Sequence, residues 1–146
     1  MALQHAPSIV TSGLVLCYDA ANPRSYSGSG STWYDASGNG NNGAISSPVY
    51  TSGINGYFTF NGTSDKVTSS TTAFNRTNGQ EITVSCWINP TRLGGQYSVF
   101  CTNRSSDAGT YNWIFYQHTT DGAISFHGAA QNKSTYIPTQ NVWINV

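Results

Sequence analysis

The side chains that could carry out acid–base chemistry are few in this sequence. It holds one glutamate, Glu81, and five aspartates, at positions 19, 35, 65, 107 and 121. Glycoside hydrolysis, a typical reaction of paired carboxylates, needs two such groups facing one substrate bond. No two acidic residues stand two or four positions apart, the spacing that would place both on one face of a strand. The sequence therefore predicts a protein that is not an enzyme.

The histidines and cysteines lack the spacing of a zinc centre or a disulfide framework. There are three of each: His5, His118 and His127, and Cys17, Cys86 and Cys101. Each cysteine stands within an apolar or alternating segment (LVLCY, TVSCWI, SVFC), where cysteine usually acts as a small buried hydrophobe. We expect three free thiols.

Oxygen-bearing side chains alternate with glycines in the loop Asp35–Gly43, which reads DASGNGNNG. Such a loop could wrap a hard cation such as Ca²⁺ with side-chain and carbonyl oxygens. It could also be a tight turn in which Asp35 and Ser37 bond their own backbone while glycines take positive φ. The loop holds one carboxylate and calcium affinity depends on ligand charge, so the sequence favours the turn.

Several aromatic residues could bind a sugar, because aromatic rings stack on sugar faces while Asn, Asp and Gln bond hydroxyls. Trp33 and Tyr34 lie in a long polar stretch, and Tyr111 and Trp113 alternate along one segment. These four are the candidate glycan-binding residues. The alternative is that they fill the core, as most aromatics of a small domain do.

Composition limits the partners of these residues. Only 8% of the 146 residues are charged and the net charge is zero, which argues against nucleic acid or anionic lipid as a main partner. No run approaches the roughly 18 apolar residues of a membrane helix, and the first ten residues do not resemble a signal peptide. Ser, Thr, Asn and Gly supply 65 residues, so turns should be abundant.

Helical periodicity is hard to find in this sequence. Short segments with period-two alternation or brief apolar runs recur instead, so we expect β-strands to position the candidate residues. The predicted strands are Gly13–Tyr18, Tyr57–Phe60, Asp65–Thr68, Glu81–Asn89, Gln96–Thr102, Tyr111–Gln117, Ala123–His127 and Val142–Val146. A hairpin turn is predicted at Asp121-Gly122. The polar stretch Ala20–Ser52 is predicted to be a long loop that packs back on the body through its aromatic residues.

This pattern predicts an all-β protein, an antiparallel sandwich or barrel, formed by one domain over residues 1–146 with an N-terminal arm at 1–12. A sandwich that stopped after the strand Val142–Val146 would expose a strand edge. We therefore expect either that the module continues past residue 146 or that a neighbouring subunit covers this edge.

Three segments resemble laminin-G-like modules of the concanavalin A-like lectin/glucanase superfamily. They are GLVLCYDAANP with TWYDASGNGNNG near the start, FTFNGTSDKV at Phe58–Val67, and ITVSCWINP at Ile82–Pro90. The terminal NVWINV is similar to the start of a later strand of such modules. The resemblance implies an antiparallel jelly-roll β-sandwich that is incomplete at its C-terminus. It also implies core positions for Trp87 and Trp143, and it keeps Asp19, Asp35 and Asp65 as candidate calcium ligands.

The subgroup with the D-x-S-G-x-G-x-x-G loop is similar to modules of phage and bacterial surface proteins. It implies a non-enzymatic virion surface protein, such as a capsid decoration, tail fibre or spike component, assembled in the host cytoplasm. Its expected partners are other virion proteins, further copies of itself as a homo-oligomer, and host-surface glycans. The alternative is a carbohydrate-binding lectin module of a bacterial surface protein, located outside the cell.

Overall fold

The computed structural model describes residues 12–72, 74, 81–94, 98–104, 111–128 and 131–146. Every regular element in these ranges is a β-strand, and all strand pairs are antiparallel. The predicted all-β, antiparallel class is therefore confirmed. The N-terminal arm predicted at 1–12 lies outside the described residues except for Ser12. The chain forms two compact units, Met1–Ala73 and Phe74–Val146.

The described residues of the first unit contain five short strands in two small sheets. They are β1 (Thr32–Trp33), β2 (Gly43–Ser46), β3 (Val49–Thr51), β4 (Tyr57–Thr59) and β5 (Lys66–Ser69). One sheet has the order β1-β2-β5, and the other pairs β3 with β4. The predicted strands at 57–60 and 65–68 correspond to β4 and β5.

The predicted loop Ala20–Ser52 is wrong in part, because β1, β2 and β3 lie within it. These strands are two to four residues long and rich in Ser, Thr, Gly and Ala, so they carry no alternation to recognise. Pairing in the sheet fixes them instead, as in the register of Ile45 with Val67.

The predicted strand Gly13–Tyr18 is absent from the sheets, and its residues are neither strand nor helix. Residues 14–18 are all partly buried, which explains the apolar pattern. Their backbone groups are bonded largely by side chains of the loop that begins at Asp35, as described below.

Aromatic rings fill the interior of the first unit. Trp33 stacks on Tyr18 at 5.1 Å between ring centroids and meets Phe58 at 4.6 Å. Tyr26 and Tyr50 contact the same phenylalanine at 4.8 and 5.3 Å. Such tilted and stacked pairs add stability beyond the area they bury. Packing of the polar stretch through its aromatic residues is thus confirmed for Trp33.

Six strands lie in the described part of the second unit. They are β6 (Trp87–Ile88), β7 (Ser98–Arg104), β8 (Tyr111–Gln117), β9 (Ile124–His127), β10 (Gln131–Lys133) and β11 (Ile144–Asn145). Four of them form a sheet of order β10-β9-β8-β7, and β6 pairs with β11. The hairpin predicted at Asp121-Gly122 joins β8 to β9, and Gly122 takes φ +79° there.

The segment Glu81–Asn89 has the predicted alternation but little of the predicted ladder. Ile82, Val84, Cys86 and Ile88 are partly buried, whereas Thr83, Ser85 and Trp87 are exposed. Only Trp87 and Ile88 are assigned to a strand. Alternation indicates which side chains are buried, whereas a hydrogen-bonded ladder also needs a neighbouring strand along the full length of the segment.

Gly43 on β2 is a position where the fold leaves no room for a side chain. A Cβ atom added there would lie 2.5 Å from Val67 Cγ1 and 2.8 Å from the Tyr18 hydroxyl oxygen. We therefore expect Gly43→Ala to lower the free energy of unfolding by about 1–3 kcal/mol, the usual cost of overpacking. Urea unfolding measures this, and Ala44→Ser on the exposed side of the same strand is the control. Equal stability of the two variants would contradict the close packing.

Candidate functional site

The carboxylate of Asp35 organises the loop predicted to be a turn or a calcium site. Its Oδ1 accepts the backbone N–H groups of Cys17 (3.0 Å) and Ser37 (2.9 Å). Its Oδ2 accepts the Ser37 hydroxyl (2.7 Å) and the backbone N–H of Asn41 (3.0 Å). Both oxygens are thus occupied by two protein donors each. This is the arrangement of the predicted turn, and Gly38 and Gly40 take the positive φ that it requires.

The same loop supplies hydrogen bonds to the segment that was predicted to be the first strand. Asn41 Nδ2 donates to Val15 O at 2.8 Å, and Asn39 Nδ2 donates to Leu14 O at 2.8 Å. Ala36 N donates to Cys17 O at 2.8 Å. Buried backbone groups need partners, and here side chains replace most of a neighbouring strand.

Burial of Asp35 acts to raise its pKa, but the hydrogen bonds from Cys17, Ser37 and Asn41 outweigh this and hold the pKa below its ordinary value. The carboxylate is therefore charged at neutral pH and accepts all four hydrogen bonds. Charge-assisted bonds of this kind are stronger than neutral ones.

The three candidate calcium ligands do not converge. Asp19 Oδ1 accepts the N–H of Ala21 at 3.0 Å, and Asp65 Oδ2 accepts the N–H of Asn61 at 2.9 Å. Each is a local turn bond. Within the ranges that the structure describes, no three His, Cys, Asp or Glu side chains cluster closely enough to hold a metal ion.

The four candidate glycan residues differ in exposure. Trp33 packs against Tyr18 and Phe58, while Tyr34 is 51% exposed. Trp113 is only 3% exposed and donates its indole N–H to Phe74 O at 3.1 Å. The backbone of Tyr111 lies in β8, but its side chain is outside the described part. Among the described rings of this set, Tyr34 is the one that presents a broad surface to solvent.

Sequence reasoning missed a more prominent aromatic surface on the paired strands β6 and β11. Trp87 is 67% exposed and Trp143 is 44% exposed, although the resemblance implied core positions for both. Asn145 lies opposite Trp87 in the ladder, and its Oδ1 accepts the Ser85 hydroxyl at 3.3 Å. The signal was the alternation itself, which places Trp87 on the side of Thr83 and Ser85. We call these five residues the outer face.

Charged side chains at the turn between β8 and β9 stabilise the hairpin. Lys133 forms an ion pair with Asp121, and Asp121 Oδ1 also accepts the N–H of Ala123 at 3.1 Å. The hydrogen bond from Lys133, followed by that from Ala123, lowers the pKa of Asp121. The cluster ties β10 to the hairpin turn.

All three cysteines are free thiols, as the sequence predicts. Burial raises the pKa of Cys86 to about 11, and burial together with the nearby Cys86 raises that of Cys101 to about 11. Burial, with Asp19 and Asp35 nearby, also raises the pKa of Cys17. Nucleophilic cysteines need the opposite shift, so these thiols are suited to packing rather than chemistry.

A comparison of the chain with protein-family models, curated proteins and solved structures finds no match. No helix in the described ranges is long and apolar enough to cross a membrane.

Replacing Asp35 tests its organising role. Asp35→Asn removes the charge and one acceptor, so we expect the free energy of unfolding of the first unit to fall by about 1–3 kcal/mol. The lowered pKa means that this stabilisation is present above the unfolded-state pKa near 4 and is lost as the pH falls through the folded-state pKa. Urea unfolding between pH 7 and pH 3 measures both effects. Asp19→Asn is the control, because the Asp19 carboxylate accepts a single turn hydrogen bond, from Ala21. An equal loss of stability in this variant would contradict the organising role of Asp35.

The raised thiol pKa values predict slow alkylation. At pH 8 a thiol of pKa about 11 is thiolate in about one molecule per thousand, compared with roughly a quarter for an ordinary cysteine. We expect iodoacetamide to modify Cys86 and Cys101 of the native chain about 100-fold more slowly than it modifies the thiol of glutathione. The rate of modification should rise towards pH 11. Mass spectrometry of digests gives the site-specific rates. Urea-unfolded chain should react normally, and rapid native labelling at pH 8 would refute the prediction.

Proposed function

We propose that this chain is a non-enzymatic, lectin-like module of a virion surface that contacts host glycans and assembles with other virion proteins and with copies of itself. Its proposed fold is the jelly-roll β-sandwich of concanavalin A-like proteins. The antiparallel all-β architecture supports the coarser part of this proposal. The residue motifs shared with laminin-G-like modules of phage and bacterial surface proteins support the rest.

The outer face is the observation that carries glycan contact. Two large indole rings stand exposed among hydroxyl and amide side chains, and the only acidic residue of this segment, Glu81, stands at its beginning. An indole accepts the C–H face of a pyranose, while Ser, Thr and Asn bond its hydroxyls.

Trp87 and Trp143 are suitably placed to act together. Continuing the register of Ile144 with Ile88 and Asn145 with Trp87 makes Trp143 the diagonal neighbour of Trp87. Diagonal neighbours on one face of an antiparallel pair lie about 7–8 Å apart, within reach of long side chains. Two exposed rings on one side of a strand pair suit two adjoining sugar units, so an oligosaccharide is the expected ligand.

The absence of catalysis is part of the proposal and is supported by what the carboxylates do. Asp19, Asp35 and Asp65 each accept a backbone N–H of their own turn, from Ala21, Ser37 and Asn61 respectively. General acid–base catalysis would need two such groups directed at one bond. No metal ion is part of the proposal.

A lectin module of a bacterial surface protein is the second candidate. It would use the same outer face, so the two functions differ in location rather than in site. Antibody labelling of purified virions and of cell surfaces would separate them, and capsid and tail genes beside this gene would favour the virion.

Substitution of Trp87 tests glycan contact. We expect Trp87→Ala to weaken binding of neutral hexose and N-acetylhexosamine oligosaccharides about tenfold, which corresponds to a lost aromatic contact of about 1.4 kcal/mol. Titration followed by NMR of the indole N–H signals measures the affinity and identifies the ring. Val99→Ala, which trims an exposed apolar residue of β7, is the matched control.

Unchanged affinity in Trp87→Ala would contradict the outer face as the glycan site. If Tyr34→Ala abolished binding instead, the site would lie in the first unit, as the sequence predicts for Tyr34.

A further inference from the structure

Asparagine followed by glycine is a reactive pair in proteins. Glycine has no side chain to keep its backbone nitrogen away from the asparagine amide, so the nitrogen can attack that amide and release ammonia. The sequence contains five such pairs, which begin at Asn39, Asn42, Asn55, Asn61 and Asn78. The last pair lies outside the described residues. The other four share the same local chemistry, so their surroundings in the fold determine which of them reacts.

The side chain of Asn61 is held on both of its polar atoms. Its Oδ1 accepts the backbone N–H groups of Thr63 at 2.8 Å, Ser64 at 3.0 Å and Asp65 at 3.2 Å. Its Nδ2 donates to the Ser64 hydroxyl at 3.0 Å. The amide must break these hydrogen bonds before its carbon can turn towards the next backbone nitrogen, so this pair is protected.

The pairs at Asn39 and Asn42 are also held in place. Asn39 Nδ2 donates to Leu14 O at 2.8 Å, and Asn42 Oδ1 accepts the backbone N–H of Asp35 at 2.9 Å. Gly43, which would supply the attacking nitrogen at the second pair, is buried within β2. Both side chains belong to the loop that fixes the first unit, and their reaction requires that loop to open.

Asn55 has none of this protection. It lies in the loop of residues 52–56 that joins β3 to β4, and its side chain is exposed. Among the residues that the structure describes, its amide has no hydrogen-bond partner. The preceding residue, Ile54, is 96% exposed, so the loop tip is open to water. The Gly56 N–H donates to Gly53 O at 3.1 Å, and a single turn bond at a loop tip opens more easily than a strand ladder.

Packing leaves no room for a side chain at Gly56. A Cβ atom added there would lie 2.5 Å from the Tyr50 hydroxyl oxygen and 2.9 Å from Ala20 O. These two groups are themselves joined by a hydrogen bond of 3.0 Å. The fold therefore requires glycine after Asn55, and the reactive pair follows from this close contact.

We propose that Asn55 is a site of spontaneous deamidation in the folded protein. The Gly56 nitrogen forms a bond to Asn55 Cγ and loses its proton, while the bond from Cγ to Nδ2 breaks and that nitrogen leaves as ammonia. One water molecule then opens the five-membered imide at either of its two carbonyl carbons. The products are isoaspartate and aspartate, and no atom is oxidised or reduced.

The isoaspartate product changes the hairpin that contains it. Its backbone runs through the former side chain, which adds one methylene group between Ile54 and Gly56. Gly56 has no free space against Tyr50 and Ala20, so the longer backbone disturbs this contact. The new carboxylate also gives a negative charge to a chain whose net charge is zero. The inference goes beyond the proposed glycan contact and assembly and depends on neither.

Ageing of the whole chain tests the proposal. The native chain and the urea-unfolded chain are incubated at pH 8, and mass spectrometry of digests follows each asparagine. In the native chain we expect Asn55 to deamidate about fivefold or more faster than Asn39, Asn42 and Asn61, because each of those must first lose a hydrogen bond. In urea the four rates should converge. Enzymatic transfer of a labelled methyl group to isoaspartyl carboxylates identifies the main product.

Two variants serve as controls. Asn55→Ala removes the reactive amide and should abolish the early product. Asn55→Asp carries the new charge on a normal backbone, so it separates the effect of charge from that of the added methylene. The aged chain should unfold at a lower urea concentration than fresh Asn55→Asp, since only the aged chain has the longer backbone at Gly56. Equal midpoints would contradict the proposed change in the hairpin.

Equal deamidation rates at the four sites of the native chain would overturn the proposal. Faster loss of the amide at Asn39, Asn42 or Asn61 would do the same. So would an Asn55 amide that stays intact in the native chain while the unfolded chain deamidates, because the folded loop would then protect it.

Discussion

The first unit depends on one constraint, the need to provide hydrogen bonds for the partly buried segment of residues 14–17. A sheet would normally supply them from a neighbouring strand. Here the Asp35 carboxylate folds its own loop through Ser37 and Asn41 and binds Cys17 across the chain. The shaped loop then directs the amides of Asn39 and Asn41 to the carbonyls of the same segment. One charged group therefore fixes the turn and the strand-like segment together.

The predictions that hold are those in which local pattern and tertiary structure agree. The Asp121-Gly122 turn, the strand Tyr111–Gln117 and the alternation of residues 81–88 depend on short-range rules, and all three are found. The predictions that fail depend on distant partners. Gly13–Tyr18 has strand-like residues but receives side-chain bonds, whereas Gly43–Ser46 has unremarkable residues and gains a partner on each side. Period and propensity contain no information about which segment lies next to which.

The candidate site residues also separate into those that local pattern predicts and those that depend on tertiary structure. Spacing predicts a turn at Asp35, and the four hydrogen bonds of that carboxylate agree with it. Aromatic type alone does not separate Tyr34, which faces solvent, from Trp113, which is buried. The period-two pattern groups Trp87 with Thr83 and Ser85, which are exposed, while the family resemblance implied a core position. In this segment the residue pattern was the better guide, since it depends on the pleat of the chain itself.

The pleat of residues 81–87 also restricts how this gene can change. Odd-numbered residues are exposed and even-numbered residues are partly buried. Deletion or insertion of one residue would exchange the two sets, turning Trp87 inwards and Val84 outwards. Homologous chains should therefore show replacements in this segment that keep the polarity of each side, while length changes within it should come in pairs of residues.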